Sequence, residues 1–337
     1  MKKDFSSQLP EEPDFKTVIR DLLDEEQVLD PQILYALSDL RPGQLRQLKD
    51  AWLEISVERR RALMEDLEHL TESDTLLSFE AVFRFAMEDP DPQVRFFAIR
   101  AIEVFDTDDL IPTFLENLDE EVNIDVRAVS ASVLGKYVYR GEVDEIEAGL
   151  EQEIVDRLLR VISSDQPDRV RRRALEAVSY SPRPEVHEEI QSAYQRESPR
   201  WVASALFAMG RSFDERYRDK VYDRLRDQSP RVRMEAVRAC GELYLDDAVY
   251  EILDLLDDVP RVRRAAIWSL SQIGGEGVQM TLNRLLDDKN LPEEEVELIH
   301  QALDNLAFTE GSINYSMFDM PYQGEDESDL PEADWRE

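Results

Sequence analysis

Ser229-Pro230-Arg231-Val232-Arg233-Met234-Glu235-Ala236 decides the fold, because it returns 31 residues earlier as Ser198-Pro199-Arg200-Trp201-Val202-Ala203-Ser204-Ala205. Gly241 and Gly210 share the same register. Further copies read Pro92-Gln93-Val94-Arg95, Asp125-Val126-Arg127, Arg169-Val170-Arg171 and Pro260-Arg261-Val262-Arg263, with a worn copy at Leu298. With Val94, Val126, Val170, Trp201, Val232, Val262 and Leu298 as anchors, the steps are 32, 44, 31, 31, 30 and 36 residues. A recurring period of this length is the mark of a solenoid. The step of 44 holds extra residues around Tyr139 to Gly149. An earlier, degenerate copy starts at Glu58, where Arg59-Arg60-Arg61-Ala62-Leu63 mirrors Arg171-Arg172-Arg173-Ala174-Leu175.

Each unit reads as a pair of helices. Four positions after the anchor stands a small residue (Ala98, Ser130, Ala174, Ala205, Ala236, Ala266, Ala302), and eight positions after it an apolar one (Ile102, Leu134, Val178, Met209, Cys240, Leu270, Leu306). Positions 0, +4 and +8 lie on one helical stripe. The small residue lets neighbouring helices approach closely. The partner helices are amphipathic too, as in Ile111 to Leu118, Ile154 to Ile162 and Val249 to Leu256. Proline two residues before several anchors suits a first helical turn.

Arg95, Arg127, Arg171, Arg233 and Arg263 directly follow their anchors, and six residues before each stands an acid: Asp89, Glu121, Asp165, Asp227 and Asp257. The helix-turn-helix period, the turn acid and the Val-Arg opening resemble the HEAT-repeat family, especially the bacterial HEAT-like repeats also found in phycobilisome lyases. The resemblance covers roughly residues 75 to 308 and implies an all-α, right-handed α-solenoid of stacked helical hairpins, a HEAT/armadillo-like superhelix. It also implies that these ten residues form a ladder linking successive repeats, and that the second helix of each pair lines the concave side. The expected organisation is a flexible N-terminus at 1–14, a helical cap at 15–74, about seven repeats at 75–308 and an acidic disordered tail at 309–337. The cap covers an apolar end face that a solenoid otherwise exposes. The repeat at Trp201 departs from the rule: Val202 replaces the arginine and Arg196 stands where the acid should be.

The formal net charge is -35, from 75 acidic and 40 basic residues. Such a field repels phosphate backbones and anionic membranes, so nucleic acid is not the expected partner. No apolar run reaches the length of a membrane span. The N-terminus, MKKDFSSQLPEEPDF, lacks an apolar core for a signal peptide. One cysteine, Cys240, admits no intramolecular disulfide. A cytoplasmic protein is the expectation.

Little in the chain reads as chemistry. The histidines are His69, His187 and His300, and only His187-Glu188 forms a His-Glu pair. Deoxyhypusine hydroxylase, a HEAT-repeat enzyme, resembles this architecture but binds iron through several such pairs. A phycobilin-lyase-like activity is the other enzymatic alternative, and repeats alone do not carry it. Cys240 sits at a +8 core position and reads as an inert thiol. Gly274-Gly275-Glu276-Gly277 follows no strand and reads as a helix terminator. No metal or cofactor is expected, and the chain reads as a non-catalytic scaffold or adaptor for another protein or peptide.

Positions +2 and +6 point roughly opposite the 0, +4, +8 stripe and are the candidate groove. They carry Phe96, Arg100, Arg172, Phe207, Met234, Arg238, Arg264 and Trp268. Arginine and aromatic residues are common interface anchors. An acidic peptide suits such a face, and the chain's own acidic tail, with Tyr315, Phe318, Tyr322 and Trp335, is one candidate occupant.

Overall fold

A computed structural model describes residues 14–25, 30–289 and 291–310, and among them every regular element is helical. Helices α1 (Phe15–Leu23), α2 (Pro31–Tyr35), α3 (Pro42–Ala51) and α4 (Val57–Ser73) come first. Hairpins follow: α5 (Glu80–Ala86) with α6 (Pro92–Ala101), α7 (Ile111–Glu120) with α8 (Ile124–Glu142), and α9 (Ala148–Ile162) with α10 (Asp168–Ala177). Then come α11 (Pro184–Tyr194) with α12 (Pro199–Arg211), α13 (Arg218–Asp223) with α14 (Pro230–Glu242), α15 (Val249–Asp254) with α16 (Pro260–Ile273), and α17 (Val278–Leu285) with α18 (Glu293–Glu310). The chain is an all-α solenoid. Residues 1–13 and 311–337, which include most of the predicted N-terminal arm and tail, lie outside the described residues; α18 itself runs on to Glu310, past the predicted repeat boundary at 308.

The anchors explain why the second helices sit where they do. Val94, Val126, Val170, Trp201, Val232 and Val262 are each the third residue of a helix, and all are buried. Their +4 and +8 partners, from Ala98 and Ile102 to Ala266 and Leu270, are fully buried. Proline opens α6, α12, α14 and α16, where the missing N–H has no helical partner to lose. Asp91 and Asn123 cap α6 and α8 by accepting two backbone N–H bonds each. Gly274 ends α16 at φ 71°, and Gly277 precedes α17 at φ 83°, as expected of a terminator.

From α4 to α18 the even-numbered helices pack side by side in chain order, whereas the odd-numbered ones touch their successors sparsely. The closer-packed layer is the inner one, because a stack bends toward its tighter side. Glycines permit the approach. A Cβ on Gly135 would lie 3.1 Å from the Ala177 Cα, on Gly210 3.0 Å from the Ala239 Cα, and on Gly241 3.0 Å from the Ser269 Cα.

Two registers shift from the expected ones. In the last hairpin the third helical residue is Glu295, not Leu298; Glu295, Ile299, Ala302 and Leu306 are its buried face. The degenerate N-terminal copy is offset by one residue, so that Arg60 rather than Arg59 takes the ladder position at the fourth residue of α4. The long step reflects two long helices, α8 with 19 residues and α9 with 15. Within 15–74, α1 packs on α3 and α2 on α4.

The ladder runs from the arginine of one inner helix to a carboxylate of the next hairpin, in its turn or, for Glu295, in the first turn of α18. Arg60 meets Asp89 at 3.0 Å, and the Trp52 indole N–H donates to the same carboxylate at 2.6 Å. Arg95 donates to both oxygens of Glu121, Arg233 to both of Asp258 and Arg263 to both of Glu295, at 2.7–3.1 Å. Each arginine also ties its own turn: Arg95 donates to the Asp89 carbonyl and Arg233 to the Asp227 carbonyl, both at 2.8 Å. The carboxylates fix the turns by accepting the N–H of Asp91, Asn123 and Ser229.

Two expected ladder acids are corrected. Asp257 is exposed and Asp258 takes its place, because that turn is one residue shorter. Asp165 is also exposed; Gln166 points inward, accepting from Arg127 at 3.4 Å and donating to the Leu118 carbonyl at 3.2 Å. At the irregular repeat, Arg171 and Arg196 stack on the Trp201 ring at 5.3 and 3.6 Å from its centroid. Cation–π contact replaces the ion pair there. Asp227, facing Val202 instead of an arginine, pairs with Arg224 at 2.8 Å. The hairpins on either side stack in the regular order, so the substitution is absorbed locally.

Removing the Arg233 guanidinium (Arg233→Ala) should lower unfolding free energy by about 1–3 kcal/mol at neutral pH. The bonded guanidinium holds the Asp258 carboxyl below its ordinary range. Its share of stability is therefore present above the unfolded carboxylate pKa and disappears as pH falls through the folded value. Urea titrations should show the gap between wild type and variant closing between about pH 5 and pH 2; a constant gap would contradict the assignment. Separately, Gly241→Leu should destabilise by roughly 2 kcal/mol, since its side chain must push α14 off α16. An unchanged melting temperature would mean that the inner helices are not in contact there.

Candidate partner-binding face

The inner face is what remains of each even-numbered helix after two neighbours and the outer layer have covered the rest. Little of the +2 row stays open. Arg172 is only 5% exposed, and Ala128 and Ala203 are buried, while Phe96 and Met234 are half-buried and Arg264 is exposed. In the +6 row, Arg100, Phe207, Arg238 and Trp268 are half-buried and Glu176 is buried. Arg172 therefore presents no open guanidinium.

Arg100 is held by its own chain. It forms a bidentate pair with Glu68 of α4 and lies over the Phe96 and Phe97 rings at 5.0 and 5.2 Å. Burial pushes the Glu68 carboxyl up, against the opposing pull of Arg100. Phe207 lies between Arg211 and Arg238, at 5.3 and 5.7 Å. Arg264 stands 3.7 Å from Glu294, both exposed. The Trp268 ring lies against the place a Gly241 side chain would take, and its indole N–H finds no acceptor among the described residues.

Two rows were missed by counting only +2 and +6. One position before the anchor, four consecutive inner helices carry arginine: Arg169, Arg200, Arg231 and Arg261. The sequence signal was the doubled Arg-Val-Arg, of which only the second arginine belongs to the ladder. Arg169 pairs with Asp125, and Arg200, Arg231 and Arg261 each keep a contact within the chain. Ten positions after the anchor runs a second cross-repeat tie. Lys136 donates to the Glu103 and Phe105 carbonyls, Tyr139 stacks on Tyr180 at 5.1 Å, and Arg211 bonds Tyr180 and pairs with Glu242 at 3.4 Å.

From α10 to α16 these helices thus hold nine arginines outside the ladder (169, 172, 173, 200, 211, 231, 238, 261 and 264) against four acids, Asp168, Glu176, Glu235 and Glu242. Glu176 accepts from Ser204 at 2.5 Å and Arg173 at 2.6 Å. Glu235 is buried, and its Oε2 lies 3.8 Å from Arg238 without a hydrogen bond among the described residues. Burial pushes its carboxyl up to about 7; Arg238 opposes the shift, and Glu176 and Glu242 reinforce it.

The other sequence candidates form no site. His187 shares a hydrogen bond with the Tyr217 hydroxyl at 2.9 Å, and Glu188 is exposed. Cys240 is fully buried, and burial pushes its thiol up. Among the described residues no group of three or more His, Cys, Asp or Glu is placed to hold a metal ion, and no helix is long and apolar enough to cross a membrane.

Glu235 predicts a pH signature. Its folded pKa lies above the unfolded value, so the folded state holds the extra proton, and stability falls as pH rises from about 4.5 to about 7. Glu235→Gln should remove this loss, by about 3 kcal/mol at most near pH 8, and change little near pH 5. Urea midpoints that track each other across this range would contradict the assignment.

HEAT repeats match residues 218–297, the α13 to α18 region. No curated protein matches the chain in sequence. Among solved structures, YibA of E. coli is 19% identical over 73% of this chain and 96% of its own, with a TM-score of 0.42. Yeast importin-beta (Kap95p) is 13% identical over 87% of this chain but 46% of its own, with a TM-score of 0.46, so the chain spans less than half of that protein. Human deoxyhypusine hydroxylase is 18% identical over 77% of this chain and 95% of its own, with a TM-score of 0.34. The chain is an all-α solenoid, and its residues 218–297 match the HEAT-repeat family.

Proposed function

We propose that the protein is a non-catalytic scaffold or adaptor that holds an acidic segment of a partner protein across the inner face of α10 to α16. The observation that carries this reading is the charge of that face. Nine arginines outside the ladder stand against four acids on the four helices α10, α12, α14 and α16 of a chain whose net charge is -35. A surplus of one sign, gathered on one face against the sign of the whole, focuses the local field on ligands of opposite charge.

The face also supplies apolar anchors. Phe207, Met234 and Trp268 are half-buried, so each is fixed by packing yet keeps some surface for a ligand. Fixed aromatic groups lose little entropy on binding. Arg100, held by Glu68, is a support of the α4–α6 contact in this reading, and Arg100→Ala reports on that ion pair rather than on a ligand.

A fluorescent Glu/Asp-rich peptide titrated against the full chain tests the proposal. Arg231→Glu with Arg261→Glu should weaken binding by at least about tenfold, and Trp268→Ala by about 2 kcal/mol, roughly 30-fold. Binding should also weaken steeply with added salt. Affinity untouched by the charge reversals would remove the reading.

A further inference from the structure

We infer, resting on the acidic-ligand reading above, that the resident occupant of the arginine face is the chain's own C-terminal segment, residues 311–337, which a partner must displace. That segment lies outside the described residues, and its sequence is opposite in character to the face. It holds eight carboxylates against one arginine, Arg336, with Tyr315, Phe318, Tyr322 and Trp335 among them. The face offers arginine rows with Phe207, Met234 and Trp268 between them. Charge and apolar character are thus complementary in kind.

The geometry of attachment suits the match. The segment leaves from the end of α18, itself an inner helix, packed on α16. Neighbouring helices lie about 10 Å apart, so α12 is roughly 30 Å away, three helices along. At random-coil dimensions 27 residues span about 30 Å on root-mean-square average, with an extended limit of about 90 Å. The whole face is within reach without strain.

Tethering also settles a competition. A free acidic partner meets the field of a chain with net charge -35 before it meets the face. A tethered segment has no such encounter step, and its effective concentration is on the order of millimolar. An external ligand therefore binds by exchange, and only one with better anchors wins.

The test uses the full chain with its tail neutralised by Glu325→Gln, Asp326→Asn, Glu327→Gln and Asp329→Asn. A labelled synthetic peptide of residues 311–337 should bind this chain at least about tenfold more tightly than it binds wild type, whose face is occupied. Adding Arg231→Gln and Arg261→Gln to the neutralised chain should abolish the gain, with helical circular dichroism unchanged. Equal affinity for wild-type and neutralised chains, or a gain that survives the arginine changes, would overturn the inference. A labelled poly-glutamate of equal length separates the two levels. If it binds the neutralised chain and the tail peptide does not, self-occupancy fails and the acidic-ligand reading stands; if neither binds, both fall.

Discussion

The close approach of the inner helices is the constraint on which the rest of this structure depends. Small residues at +4 and glycines near the helix ends bring neighbouring backbones to within a side chain's width. Once helices lie that close, little of each remains open toward the inside. The same closeness brings side chains of one repeat within reach of the next, and the two cross-repeat ties follow. One runs from arginine to turn carboxylate at the start of the inner helices; the other runs through Lys136, Tyr180, Arg211 and Glu242 at their ends. Pairs such as Arg95–Glu121 are shielded and bidentate, unlike the exposed ion pairs that contribute little.

The proposed binding face is a by-product of that packing with a chemistry of its own. Ladder arginines face the edge of the stack and are consumed by structure. The arginines one position before the anchors recur over four helices and stay partly or fully exposed. Glu176, Glu235 and Glu242 partly neutralise them, and Glu176 and Glu235 are buried, which pushes the Glu235 carboxyl up to about 7. The face is therefore both fixed and net positive, which suits a ligand recognised by charge and a few apolar anchors.

Much of the fold was legible in sequence because the stripe of anchor, small residue and apolar residue is imposed by packing in every repeat. Misreadings fell where spacing alone cannot fix direction. Asp257 and Asp258 are adjacent acids, and only the length of the turn decides which one reaches Arg233. Gln166 accepts from arginine as an acid would, but its type gave no signal beside Asp165. Leu298 shares a helical face with Glu295, three residues away, so periodicity admitted either as the anchor. The +2 and +6 rows do not by themselves tell open positions from covered ones. Inner helices have neighbours on both flanks, so Arg172 and Glu176 are covered while the row one before the anchor stays more open.

The central claim concerns which arginines meet a ligand. Arginine-selective chemical modification read by mass spectrometry, with and without a bound acidic peptide, measures this directly on the full chain. Protection is predicted at Arg200, Arg231, Arg261 and Arg264, with the exposed outer Arg226 equally reactive in both states. Protection confined to Arg226 and its outer neighbours, with the inner rows unchanged, would contradict the account.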